Sequence, residues 1–439
     1  MKLFNKYTTW LIPGLQVKRW FLLVLLGALF LFVGAVFFFT LEPVYEIVTF
    51  LKSIASKLNL QIAGITLILA GAGAFYLGLR RAYISMFDAI NPKNKDLVLE
   101  NLFKRRMLNK GPKIVVIGGG TGLSTILKGL KNITNNLTAI VTVGDDGGSS
   151  GRLRAEFGVL PPGDIRNCIA ALADEEDLVT ELFQYRFKKG SGLEGHSFGN
   201  LFLSVLCEIT GDMYSAIKES SKVLAIRGRV LPSTLDDMRL RAEMEDGRII
   251  DGESNIPEAQ GKIIRLFCEP KHPKALKEAL DNISDADIII MGPGSLYTSV
   301  IPNLLVEEIT QAIAGASAQK AYICNVMTQP GETDDYTVSD HLKAILNHSK
   351  NKNIIDTVFI NNELPDNLAD KYQIAGSFPV KYDKEEVQKL GLNVIRRKLI
   401  EEDKNGFVRH SPTRLSRVVY IWYKKKFDAN KVDLPFEPR

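Results

Sequence analysis

The sequence has little from which to build a metal cage or a disulfide framework. Its four cysteines, Cys168, Cys207, Cys268 and Cys324, lie far apart, none in a CxxC pair, and only five histidines accompany them. That spacing excludes a zinc ribbon and suits reduced thiols in a cytosolic compartment. There is no internal repeat and no low-complexity tract, so a solenoid or a disordered tail is not the organising feature. A formal charge of +5 and a pI near 8.8 are mildly basic. No stretch combines dense Lys/Arg with interleaved aromatics, so nucleic acid is not an expected partner. The glycine-rich turns also lack the Lys-Ser/Thr pair that would make a P-loop.

Long apolar runs are present near the start. Phe21 to Thr40 is uncharged over twenty residues, the length of a helix that spans a bilayer. Ile62 to Leu79 is a second uncharged run, with Ala70, Ala74 and Gly78 four residues apart, a spacing that lets helices approach closely. A buried soluble helix is the alternative for this second run. The expectation is a membrane anchor over 1–90 with two transmembrane helices. Lys2, Lys6, Lys18 and Arg19 precede the first run and Arg80, Arg81, Lys93 and Lys95 follow the second. This excess places both termini in the cytoplasm of a multi-pass cell (inner) membrane protein. Residues 91–112, with Lys104, Arg105 and Arg106, read as a basic linker: a solvated tether, or a helix resting on anionic lipid.

From Lys113 the chain changes character. Ile114-Val115-Val116-Ile117 runs into Gly118-Gly119-Gly120-Thr121-Gly122, and a helical pattern follows. Strand, glycine turn and helix open a nucleotide-binding βαβ unit, in which free N–H groups and the helix dipole meet a phosphate. Leu123 stands where the dinucleotide fingerprint needs its third glycine, which argues against an ordinary NAD site. A second strand, Thr138 to Val143, ends in Gly144-Asp145-Asp146-Gly147-Gly148-Ser149-Ser150-Gly151. This loop could form a nest of N–H groups, with Arg152 and Arg154 adding charge. Asp145 and Asp146 could hold Mg²⁺, a ribose or a reacting hydroxyl, and would equally suit a tight turn.

Further turns repeat the theme. Asp164, in Pro161 to Asn167, suits a helix N-cap, while Arg166 and Asn167 have less structural reason to be there. His196 and Asn200 sit in a Gly/Ser turn before an apolar helix, where a structural role and a phosphate or sugar contact are both open. Short alternating runs at Arg227–Leu231, Leu240–Glu245, Arg248–Asp251 and Lys262–Phe267 predict a small antiparallel insertion. The strand Asp287 to Met291 ends at Gly292-Pro293-Gly294-Ser295, and Gly292, Gly294 and Ser295 should face the same crevice as the first turn. Asn303 and Asn325 lie near strand ends and are candidate ligand contacts. Val418 to Tyr423 reads as an edge strand before a polar tail. Strands and helices alternate over 113–439, so the expected fold is α/β: a Rossmann-like, mostly parallel sheet covered by helices.

Taken together, Ile117–Leu123, Val143–Gly151, Pro161–Asn167, Gly195–Asn200, Gly292–Ser299 and Asn325–Thr333 closely resemble, in order and spacing, the gluconeogenesis-factor (YvcK-like) family. That family is a branch of the 2-phospho-L-lactate transferase-like (CofD-like) superfamily. The resemblance covers roughly Lys113 to Asp370; the membrane hairpin is similar to versions from cyanobacteria and related bacteria. It implies a cytosolic domain binding a UDP-sugar, UDP-N-acetylglucosamine or UDP-glucose, and a role in cell shape, envelope synthesis and growth on gluconeogenic carbon sources. Envelope-synthesis proteins and a second copy of the chain are the implied partners, and lipid meets the hairpin. On this reading 118–122 and 292–295 take the diphosphate, and Asp145 or Asn200 takes ribose or sugar hydroxyls. The transferase branch implies an alternative: Mg²⁺-dependent transfer of a phospholactyl group, with Asp145 and Asp146 as the acids. A membrane scaffold with a vestigial pocket gives no reason for so many glycine and acid loops at strand ends.

Overall fold

A computed structural model describes residues 45–47, 49–50, 53, 106–174, 176–363, 376–402 and 408–427. The chain divides into two compact units, Met1–Glu100 and Asn101–Arg439. In the first, the described residues are helical and exposed. The expected spans 21–40 and 62–79 lie outside the described residues. Among the described residues no helix is long and apolar enough to cross a membrane.

The second unit begins its sheet with β1 (Ile114–Gly118), all five residues of which are buried. Then come α1 (Gly120–Leu130), β2 (Leu137–Val141), α2 (Gly148–Phe157), α3 (Gly163–Leu172), α4 (Glu176–Gln184), α5 (Phe198–Thr210), α6 (Met213–Val223) and β3 (Arg229–Pro232). An inserted layer follows: β4 (Arg239–Met244), β5 (Ile249–Asp251), α7 (Asn255–Glu258) and β6 (Ile263–Glu269). The chain returns through α8 (Lys277–Ser284), β7 (Ile288–Met291), a π turn (Leu296–Val300), α9 (Ile301–Leu304), α10 (Glu307–Gly315), β8 (Gln319–Ile323), α11 (Val338–Ser349) and β9 (Thr357–Asn361). It closes with α12 (Lys384–Lys389), β10 (Asn393–Arg397), β11 (Ile400–Glu402), β12 (Val408–His410) and α13 (Pro412–Phe427).

The main sheet runs β10-β9-β8-β7-β1-β2-β3, and every neighbour pair is parallel. Its strands carry apolar residues on both faces because helices cover both. The connections move outward from β1 to β3, then restart at β7 on β1's other side. Chain direction across the sheet therefore reverses between β1 and β7, where the loops at the strands' carboxyl ends part and leave a crevice. The antiparallel insertion is the sheet β5-β4-β6.

Two expectations fail. Arg227–Leu231 does not join the insertion: β3 pairs in parallel with β2, and three of its four residues are buried. Val418–Tyr423 is not an edge strand but part of α13. Its β-branched and aromatic residues suggest a strand, yet Leu415 and Val419 are wholly buried at helical spacing, and the chain packs Gly129 of α1 against Pro412 and Ser416. The sheet's edge strands are β3 and β10, and β10 is largely exposed. The cysteines are all free.

Candidate functional site

The crevice between β1 and β7 is built from backbone first. Ile117 lies beside Met291, and Gly292 N–H donates to the Ile117 carbonyl at 2.9 Å, so the glycine loops of 118–122 and 292–295 start side by side. A Cβ on Gly122 would overlap the Pro293 carbonyl, and one on Gly119 would overlap the Asp164 carboxylate. Glycine at these positions lets the loops and the acid come together. Asn325 Oδ1 receives Gly294 N–H at 3.4 Å, and Gln329 Nε2 donates to Ser295 Oγ at 2.7 Å. The loop after β8 thus holds the loop after β7.

Helix starts converge on the same crevice. Helix α1 starts after Gly119 and α2 after Gly147, with neither a capping side chain nor an acid in the first turn. Elsewhere Ser197 caps α5, Asp212 caps α6 and Thr337 caps α11 with a complete capping box. Asp164 is not the N-cap of α3: Pro162 holds that place and Asp164 sits in the first turn, where Gly120 N–H donates to it.

Four carboxylates crowd this region. Asp145 Oδ1 accepts Gly147 N–H at 2.9 Å. Burial, opposed by that bond and one from Ser150, pushes Asp145 above the usual carboxylate range. Burial and then Asp145 push Asp164 up to about 7. Glu253, from the inserted layer, is pushed up to about 8 by burial and by Asp145, Asp164, Glu332 and Asp146. Glu332 is 5 % exposed and pushed up to about 7 by burial; it accepts Thr298 Oγ1–H at 3.2 Å and Tyr297 N–H at 3.4 Å, bracing the π turn. Glu253 and Glu332 were not singled out from sequence. Glu332 lies in the polar loop after a strand, where the strand-end rule points. Glu253 sits in a plain turn after β5.

Several expected ligand contacts turn out to be braces. Asp146 Oδ2 accepts Glu253 N–H at 3.0 Å and Oδ1 accepts Ser254 N–H at 2.9 Å, so Asp146 ties the insertion to the crevice. Asn303 is 0 % exposed; its amide donates to the Gly118 and Ser299 carbonyls at 3.2 and 2.8 Å. Arg166 is buried, with NH1 donating to Ser197 Oγ at 2.6 Å and NH2 to Asn167 Oδ1 at 2.9 Å. Asn200 Nδ2 donates to Ser149 Oγ at 3.0 Å, which lies 3.0 Å from His196 Nδ1; all three are buried. Burial pushes the His196 pKa down, with Arg152 adding to it. Arg154 points into the insertion, its Nε donating to Asp237 Oδ1 at 2.7 Å. What remains accessible is Gly120, Thr121, Gly122, Asp145, Gly147, Gly148, Asp164, Asn167, Glu253, Gly294, Ser295 and Asn325.

Of the two acids expected to hold Mg²⁺, Asp146 is the one already engaged. Both oxygens of Asp146 are committed to backbone N–H groups. Among the described residues no group of three or more His, Cys, Asp or Glu side chains could hold a metal ion. The arrangement offers instead backbone donors for an anion beside carboxyl groups that can accept hydrogen bonds from hydroxyls.

Known proteins resemble this chain. The family model of 2-phospho-L-lactate transferase CofD matches residues 114–400. The gluconeogenesis factor of Bacillus subtilis is 51% identical over 313 residues, 71% of this chain and 98% of that protein. The chain belongs to the gluconeogenesis-factor family. A Nostoc relative carrying the same family name is 52% identical over 424 residues, 95% of this chain and 93% of its own, so that match extends into the first unit. The crystal structure of a UPF0052-family protein from Bacillus halodurans is similar at a TM-score of 0.67 and 49% identity, over 70% of this chain and 99% of that one. Some gluconeogenesis-factor relatives thus match the second unit alone and others nearly the whole chain.

Proposed function

We propose that the crevice binds a nucleoside diphosphate sugar, specifically a UDP-sugar such as UDP-N-acetylglucosamine or UDP-glucose, and that the protein is a regulator without turnover. The observation that carries this is the pair of helix starts, α1 and α2, left without capping side chains or first-turn acids at the sheet's reversal point. Their N–H groups suit a diphosphate. Asp145, Asp164 and Glu253 suit ribose and sugar hydroxyls, and carboxyls with raised pKa carry less charge against the phosphates at neutral pH. In the cell the reading places this unit on the cytoplasmic side of the membrane, held by the 1–90 hairpin. There it reports the UDP-sugar level to envelope-synthesis proteins that govern cell shape and growth on gluconeogenic carbon sources. Mg²⁺-dependent phospholactyl transfer is the less favoured reading, because Asp146 is spent on the insertion.

A thermal-shift panel of UDP-sugars, UDP, GTP and phospholactate, each with and without Mg²⁺, tests the choice. Stabilisation by UDP-sugars without need of Mg²⁺ supports binding. A shift seen only with phospholactate or GTP and Mg²⁺ overturns it.

A further inference from the structure

We propose that the phosphates of the ligand lie at the start of α2, where Arg152, Arg166 and Arg186 supply the positive charge that the crevice itself lacks. The proposal rests on the nucleotide-sugar reading above and assigns the subsite for the anionic part.

The need is electrostatic. Among the described residues, the accessible side chains of the crevice include Asp145, Asp164 and Glu253 but no Lys or Arg. A diphosphate there finds uncharged donors and no counter-charge. Of the two uncapped helix starts, α1 has already given its Gly120 N–H to Asp164. Helix α2 starts on exposed Gly148, and two further helix starts converge on it. Asn200, in the first turn of α5, reaches Ser149 of α2 through its Nδ2 at 3.0 Å. Arg166, in the first turn of α3, donates through NH1 at 2.6 Å to Ser197 Oγ, the cap of α5. Three positive dipole ends meet at this place.

Three guanidinium groups gather round one turn there, 194–197. Arg152 lies four residues after Gly148, so its side chain leans back over the first turn of α2, and its NH2 donates to the Glu194 carbonyl at 3.0 Å. Arg186 NH1 donates to the Gly195 carbonyl at 2.7 Å. Both side chains are exposed. Glycine makes room for the cluster: a Cβ on Gly195 would press on Arg152 NH2, and one on Gly199 would overlap the stem of Arg166. Every bond that the three arginines make ends on a carbonyl, hydroxyl or amide oxygen, not on a carboxylate. Of the acids in range, Glu156 acts on the neighbouring His196. Arg166 is 8 % exposed and its Nε has no partner. Burial and then Arg186 hold its pKa below the ordinary value, against a weaker pull from Asp164 and Asp145. A buried guanidinium with a bare N–H, pressed by a second guanidinium, is costly to keep. An arriving phosphate takes the bare donor and relieves the repulsion, and the exposed forks of Arg152 and Arg186 suit its oxygens.

The test titrates inorganic pyrophosphate and UDP-N-acetylglucosamine, without Mg²⁺, into the full chain and into the double variant Arg152→Gln/Arg186→Gln. A second double variant, Lys218→Gln/Lys222→Gln, removes the same charge from two exposed positions on α6. Expected is binding of both probes to the wild type, at least about tenfold weaker binding of each to the arginine variant, and unchanged binding to the lysine variant. The wild-type advantage should shrink in high salt. The thermal midpoint of the ligand-free arginine variant should not fall, because Arg186 presses on Arg166. No pyrophosphate binding to the wild type, equal affinity in the arginine variant, or an equal loss in the lysine variant overturns the proposal; so does a midpoint that falls while affinity holds, the mark of a brace. Arginine-dependent binding of pyrophosphate without binding of UDP-N-acetylglucosamine keeps the subsite and removes the nucleotide-sugar reading. UDP-N-acetylglucosamine binding that the arginine variant retains in full keeps that reading and removes the subsite.

Discussion

Helices α5, α6 and α11 begin on Ser197, Asp212 and Thr337, whose side chains accept backbone N–H groups of the first turn. Helices α1 and α2 begin on Gly119 and Gly147, which have no side chain to offer. The same four unsatisfied donors arise at every helix start. At α5, α6 and α11 side chains satisfy some of them and add stability, whereas α8 and α10 start without a capping side chain but carry Glu278, or Glu307 and Glu308, in the first turn. At α1 and α2 there is neither a capping side chain nor a first-turn acid; Asp164 from α3 accepts the Gly120 N–H, and carboxyls pushed up by burial stand beside both starts. On the proposed reading, stability and binding capacity fall to different helices, and substitutions can separate them.

The largest effect expected comes from pH. Asp164, Glu253 and Glu332 have folded-state values of about 7, 8 and 7, above the carboxylate range of an unfolded chain. For raised carboxyls the stability contribution is fully present below about pH 4 and is lost as pH rises through the folded values. The thermal midpoint of the ligand-free protein should therefore fall between about pH 4 and 8 and level off above, and Glu253→Gln should reduce the fall. A midpoint that is flat or rises over that interval, or an unchanged slope in the variant, breaks the carboxyl half of the comparison.

Next comes the close approach of the loops. Gly122→Ala sets a Cβ against the Pro293 carbonyl and should cost about 1–3 kcal/mol in denaturant unfolding, with loss of ligand-induced stabilisation. Gly148→Ala meets nothing within 4 Å and carries only the left-handed penalty of its φ of +50°, about 1–2 kcal/mol. A Gly122 variant of wild-type stability would mean that the two loops do not share one wall. Thr337→Ala, at a capped helix, should cost about 1 kcal/mol and leave ligand affinity untouched; a change in affinity there would blur the division between the two kinds of helix start.

Much of this was legible in the sequence because it follows from backbone requirements. The run Ile114 to Ile117 into glycines, and its echo at Ile288 to Gly294, fix where the sheet reverses, and four of the six motifs fall on loops after β1, β2, β7 and β8, the other two on turns between helices. The bracing was not legible. Arg166, His196, Asn200 and Asn303 are polar residues in or near glycine turns, and sequence does not say whether such a side chain turns toward ligand or into the wall. Asp146 looks like the twin of Asp145, yet it is spent on Glu253 and Ser254, more than a hundred residues away. The α13 stretch misled because Val, Tyr, Ile and Trp favour strands, while its helical burial against α1 appears only once the sheet is assembled.

The smallest change in stability carries the most direct test. The N-cap of α2, Gly147, has φ −90° and ψ 157°, open to any residue, so Gly147→Ser can supply the missing cap and should stabilise the protein by a few tenths of a kcal/mol. Isothermal titration of UDP-N-acetylglucosamine into the wild-type full chain and into this variant then measures what the free donors are for. The account predicts saturable single-site binding to the wild type and weaker binding to the more stable variant. No heat with the wild type, or equal affinity for both, would contradict it.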